Sequence, residues 1–148
     1  MATYNGDRYE VAENLAPATE DILTRGLWDG KLRVCVDEWT AATKGDNNLS
    51  NGDYINVARI PAGGTFLFGR LISDDLGAND QKLHVGYGAA ANQFTANEDA
   101  TSAIDTTFGS PVSFDDDTVV KVKLSDGGGG SNATANAEIK TIIVYSSE

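Results

Sequence analysis

Cysteine and histidine are almost missing from these 148 residues, which hold one of each, Cys35 and His84. A single cysteine excludes an internal disulfide framework, and one His plus one Cys is too few for a zinc site built on those ligands. Any Ser-His or Cys-His nucleophile system would have to use His84 itself. Basic residues are also scarce: 11 Lys and Arg stand against 22 Asp and Glu, a net charge of -11. A chain this acidic is repelled by phosphates, so DNA, RNA and anionic membranes are not expected partners. No apolar run approaches the roughly 20 residues that span a bilayer. Met1 to Gly30 has no cationic start followed by an apolar stretch, so it does not read as a secretory signal. Walker and dinucleotide fingerprints are absent. The run Gly127 to Gly130 lacks a following Lys-Ser/Thr and reads as a hinge or turn.

What remains fits one globular domain. Hydrophobic residues make up 41% and charged residues 22% of the chain, within the globular range, and the length suffices for a core of its own. Residues 1–30 read as an arm. Pro17, Gly26 and Gly30 interrupt any long element, and Thr19 could cap only a short helical turn. Tyr4, Tyr9, Val11, Leu15, Ile22, Leu27 and Trp28 are its isolated apolar anchors. Of these, Tyr4, Tyr9, Leu15, Ile22, Leu27 and Trp28 are the expected contacts to a partner or a neighbouring copy. Thirty extended residues reach up to about 100 Å.

Residues 31–148 are expected to form a β-sandwich, because from Lys31 onward the dominant period is two. Leu32, Val34 and Val36 alternate with Arg33, Cys35 and Asp37, which places the first three on the buried face. Further strands are expected at Tyr54–Ile60, Thr65–Ser73, Lys82–Tyr87, Val119–Leu124 and Glu138–Tyr145. Thr65–Ser73 is apolar on both faces and should be central, so Phe68→Ala is expected to cost about 3 to 5 kcal/mol. Ala89 to Ser113 is irregular, with a short helix near Glu98–Ile104 or a long loop. Six strands are clear, eight if the arm and the Ala-rich stretch hide two more. With Gly/Asn/Asp turns and no long amphipathic helix, they make an all-β, antiparallel sandwich. A jelly roll fits better than an immunoglobulin-type sandwich, which would carry a Cys-Trp-Cys arrangement.

Three consecutive stretches carry a resemblance. Tyr54-Ile55-Asn56-Val57-Ala58-Arg59-Ile60 runs into Pro61-Ala62-Gly63-Gly64. Leu67-Phe68-Gly69-Arg70-Leu71-Ile72 closes in Ser73-Asp74-Asp75-Leu76-Gly77. Leu83-His84-Val85-Gly86-Tyr87 follows. The order resembles the capsid decoration, or cement, proteins of tailed bacteriophages, which have jelly-roll-like domains. It covers roughly Lys31 to Gly88 and the final strand. The resemblance implies an accessory structural protein on the outer surface of a virion assembled in the host cytoplasm. Its partners would be the major capsid protein and other copies of itself, often as a trimer. It implies no enzyme activity and no cofactor.

Other residues admit sharper and plainer readings. Asp115-Asp116-Asp117 could offer oxygen ligands to Ca²⁺, but adjacent residues point apart, and a solvated turn is the plainer account. No Lys or Arg lies between Leu83 and Val120, whereas Glu98, Asp99, Asp105 and the Asp triplet do. That stretch is expected to be a negative surface, facing solvent or a basic partner. Asp74-Asp75 with Asp37 or Glu38 could make a glycosidase pair, although paired carboxylates are common in turns. Trp28, Trp39, Tyr54 and Tyr87 could form the sugar-stacking platform of a lectin-like module, the alternative function. Burial in the core or at a subunit contact is the plainer account, since Trp and Tyr favour both. Cys35 reads as a small buried hydrophobe, His84 as a sheet-face residue, and the Asn132-Ala133-Thr134 sequon as accidental.

Overall fold

A computed structural model of the chain describes residues 3–5, 32–40, 51–77, 81–125 and 137–147. Ten strands lie among them: β1 (Thr3–Asn5), β2 (Leu32–Thr40), β3 (Tyr54–Ile60), β4 (Thr65–Ser73), β5 (Lys82–Tyr87), β6 (Thr95–Asp99), β7 (Ile104–Phe108), β8 (Val112–Ser113), β9 (Thr118–Ser125) and β10 (Glu138–Ser146). Sheet A has the order β1-β3-β9-β5-β6. Sheet B has the order β2-β10-β4-β7, with β8 beside β4. From β2 to β5 each successive strand crosses to the opposite sheet, as do β9 and β10. With β6 and β7, eight of these strands form two four-stranded sheets, the arrangement of a jelly roll. All pairings are antiparallel except β1 with β3.

The strands follow from their side chains. In β9, Val120, Val122 and Leu124 are buried, while Lys121 and Lys123 alternate outward, the period of a half-buried strand. Val122 sits opposite Ile55 of β3 and Val85 of β5, and the three form one row on the inner face of sheet A. Ile139, Ile143, Leu71, Ile104 and Phe108 face them from sheet B.

One end of the core is aromatic. The Phe66 and Phe94 rings stack with centroids 3.8 Å apart, and Phe108 lies 6.2 Å from Phe66. Tyr87 meets Phe114 edge to face at 5.0 Å. Gly69 makes room for this cluster: a Cβ there would lie 2.5 Å from the Phe108 ring.

Three expectations need correction. Leu32 and Val34 are 57% and 59% exposed. The inward face of β2 instead carries Trp39 and Asp37, both buried, with Cys35 half-buried, its Sγ donating to the Val57 carbonyl at 3.4 Å. Phe68 is 50% exposed, although β4 is an interior strand. The cause is a register shift at Val144/Tyr145, where Tyr145 opposes Phe66 and Val144 opposes Phe68. Leu67 is the extra residue of this bulge, and such an insertion reverses which side chains face the core. Lastly, the stretch around Glu98–Ile104 is no helix. Its ends belong to β6 and β7.

Candidate functional site

Strands β4 and β10 are apolar on both faces, the pattern of strands buried on both sides. Their inner face is covered by sheet A. On the outer face, Val144 lies directly between Val34 of β2 and Phe68 of β4. Val144 is 6% exposed, whereas its two neighbours are more than half or half exposed. One step along, Ile142 stands beside Val36, and Leu32 extends the strip on β2. The result is an apolar row across three strands.

The charges bordering this row are paired locally, with one carboxylate in excess. Arg70 makes a forked pair with Asp105, at 2.7 and 2.6 Å. Lys140 lies 3.1 Å from Glu38 and 3.0 Å from Glu138. These exposed pairs contribute little to stability, but they leave the face without strong charge of either sign. A large apolar patch with a paired polar rim is the usual form of a protein contact surface.

The candidate acid pairs are occupied elsewhere. Asp37 is buried and accepts the Glu38 N–H at 2.9 Å, while Glu38 points outward to Lys140. Asp74 accepts the Glu138 N–H at 3.1 Å, and Asp75 accepts the Gly77 N–H at 2.7 Å. Both serve the turn after β4. Among the described residues no group of three or more His, Cys, Asp and Glu could hold a metal ion.

The aromatic platform does not assemble from its described members. Trp39 and Tyr54 are 1% and 6% exposed, and Tyr87 packs against Phe94 and Phe114. Tyr54 does lie on the outer side of sheet A, under Lys121 and Lys123. Asp117 is not a free member of an acidic turn. It binds Arg59 at 2.8 Å and the Ala62 N–H at 2.9 Å, tying the start of β9 to the turn after β3.

Of the arm residues, Tyr4 lies in β1, beside Ile55 of β3. Tyr9, Leu15, Ile22, Leu27 and Trp28 lie outside the described residues, as do the glycine run and the sequon. Sequence reasoning missed the outward row because it assigned Leu32, Val34 and Phe68 to the core. The signal that could have found it was the double-faced apolarity of residues 139–144.

No family model matches the sequence, and no curated protein matches it. Solved structures do. A chain from the capsid of Ralstonia phage GP4 superposes with a TM-score of 0.60 at 18% identity, covering 80% of this chain and 86% of that one. A chain of the cyanophage Pam1 capsid asymmetric unit gives 0.56 at 16% identity, covering 80% and 84%. A chain of the acidic stable capsid structure of Helicobacter pylori bacteriophage KHP30 gives 0.56 at 14% identity, covering 78% and 87%. The jelly roll built by this sequence is therefore a fold that it shares with chains from the capsids of three bacteriophages.

Proposed function

We propose that this chain is a non-catalytic structural protein of a phage virion, which binds the outer surface of the capsid and decorates or stabilises it. The observation that carries this reading is the outward apolar row in which exposed Val34 and Phe68 flank the buried Val144, with its charge-paired rim, on a fold shared with capsid chains. The occupant it fits is a weakly charged protein surface, that of the major capsid protein. Covering the exposed halves of Val34 and Phe68 contributes about 1 kcal/mol each. That is weak for one copy, but many copies on a symmetric shell add up through avidity. The arm extends the reach, with Tyr4, Tyr9, Leu15, Ile22, Leu27 and Trp28 as its anchors on the shell or on a neighbouring copy. Copies beside one another would close into trimers, a symmetry that suits a capsid lattice.

The test mixes the purified full-length chain with expanded phage shells, followed by cosedimentation and electron microscopy. Density on the outer surface is expected. Val34→Asp with Phe68→Asp should abolish binding while the free protein stays folded with a modestly lowered thermal midpoint, because both side chains are about half exposed. Deleting Ala2–Gly26 should weaken binding. Full binding by the double Asp variant would overturn the assignment of the face, and absence of density from every shell would overturn the function.

A further inference from the structure

The second outward face, that of sheet A, has the opposite character. Lys121 and Lys123 of β9 point outward, and their Nζ atoms lie 5.4 and 5.6 Å from the centre of the Tyr54 ring on β3. His84 of β5 stands directly opposite Lys123 on the other side. The two lysines make a basic strip on a chain of net charge -11.

Charge pairing makes the strip informative. Most described Lys and Arg residues have a carboxylate partner: Arg59 has Asp117, Arg70 has Asp105, Lys82 has Asp99, and Lys140 has Glu38 and Glu138. Among the described residues, Lys121 and Lys123 have no carboxylate partner and lie over the Tyr54 ring. Among the described carboxylates, Asp115 and Asp116 are exposed and have neither an ion pair nor a side-chain hydrogen bond, whereas Asp74 is held by the Glu138 N–H and their neighbour Asp117 by Arg59. The two leftover pairs cannot meet within one copy. Asp115 and Asp116 lie before β9 begins at Thr118, and Lys121 stands three residues further on, about 10 Å along the strand.

We propose that the Lys121–Lys123 strip of one copy receives the Asp115–Asp116 turn of a second copy. The two surfaces differ, so the contact is head-to-tail and closes into a ring when the rotation between copies allows it. Lysine over an aromatic ring suits this role, since the ring holds the ammonium groups in place without neutralising them. The inference deepens the proposal that copies contact one another, and its test needs no shell.

The full chain is examined by sedimentation velocity at low and high salt. Association is expected at low salt and should weaken as salt screens the charges. Lys121→Glu with Lys123→Glu should sediment as a monomer where the parent associates, and so should Asp115→Lys with Asp116→Lys. The variant carrying all four changes should associate again, because both surfaces are reversed together. Circular dichroism and thermal unfolding confirm that each variant is folded. A monomeric parent, association that survives either two-residue reversal, or failure of the fourfold variant to recover would each overturn the inference. Self-association without shell binding would instead leave it standing and remove the virion reading.

Discussion

Phe66 and Phe68 are two positions apart and live in different surroundings. Phe66 is fully buried, stacked on Phe94, while Phe68 is half in solvent. Phe66→Ala is therefore expected to cost about 3 to 5 kcal/mol, and Phe68→Ala less than about 1 kcal/mol. Denaturant unfolding of the two variants checks this, and equal losses would contradict the placement of the bulge. His84 sets a second expectation. Burial pushes its pKa below the ordinary 6.5, and Lys123 pushes the same way. The folded value lies below the unfolded one, so protonation favours unfolding. The stability due to the neutral ring is complete above the unfolded pKa and is lost as pH falls through it toward the folded value. Thermal midpoints should thus decline as pH falls below about 6.5, and His84→Gln should flatten that part of the curve. Three carboxylates act at lower pH. Asp99 is held low by Thr101, Asp105 by Arg70, and Asp117 by the Ala62 N–H and Arg59. Their contribution is lost only as pH falls below about 4, in the variant as in the parent.

The element scale shows how far the sequence could be read. Strands β3, β5, β9 and β10 were legible because each holds several β-branched or aromatic residues and has Gly, Asn or Asp close to at least one end. Strand β4 was legible as an element but not in phase. Nothing local marks Leu67 as a bulge, since the cause is its register with β10, a strand more than sixty residues away. Strand β2 was read with its faces exchanged. Period-two logic assumes that the apolar set faces inward, and here the inward set is Cys35, Asp37 and Trp39. Strand β7 was hidden for another reason. Its apolar residues, Ile104 and Phe108, are four apart, a spacing that keeps one face in a helix and also in a strand. Both are buried, and backbone pairing with β4 decides the matter. The candidate site was correspondingly illegible. Its residues are apolar side chains on the wrong side, recognisable only once the faces are assigned.

At the scale of the whole molecule, distant segments complete one another. Half of the acids in the stretch without Lys or Arg are neutralised by cations from outside it: Asp99 by Lys82, Asp105 by Arg70 and Asp117 by Arg59. What looked like a uniformly negative region is acidic chiefly at Asp115 and Asp116. Sheet B depends even more on distance, since β10 is inserted between β2 and β4 along its whole length. A chain lacking residues 138–146 is expected to show no cooperative thermal transition, and a sharp unfolding curve from it would refute that dependence. The insertion also sets a timetable. On a ribosome, β2 emerges nearly a hundred residues ahead of its neighbour β10, a delay of about 5 to 20 s at ordinary rates of synthesis. Through that interval the nascent chain carries two hydrophobic segments without the strand that joins them. Crowded translation is then a condition that exposes this protein to misassociation, and chaperone cover during synthesis should raise its yield.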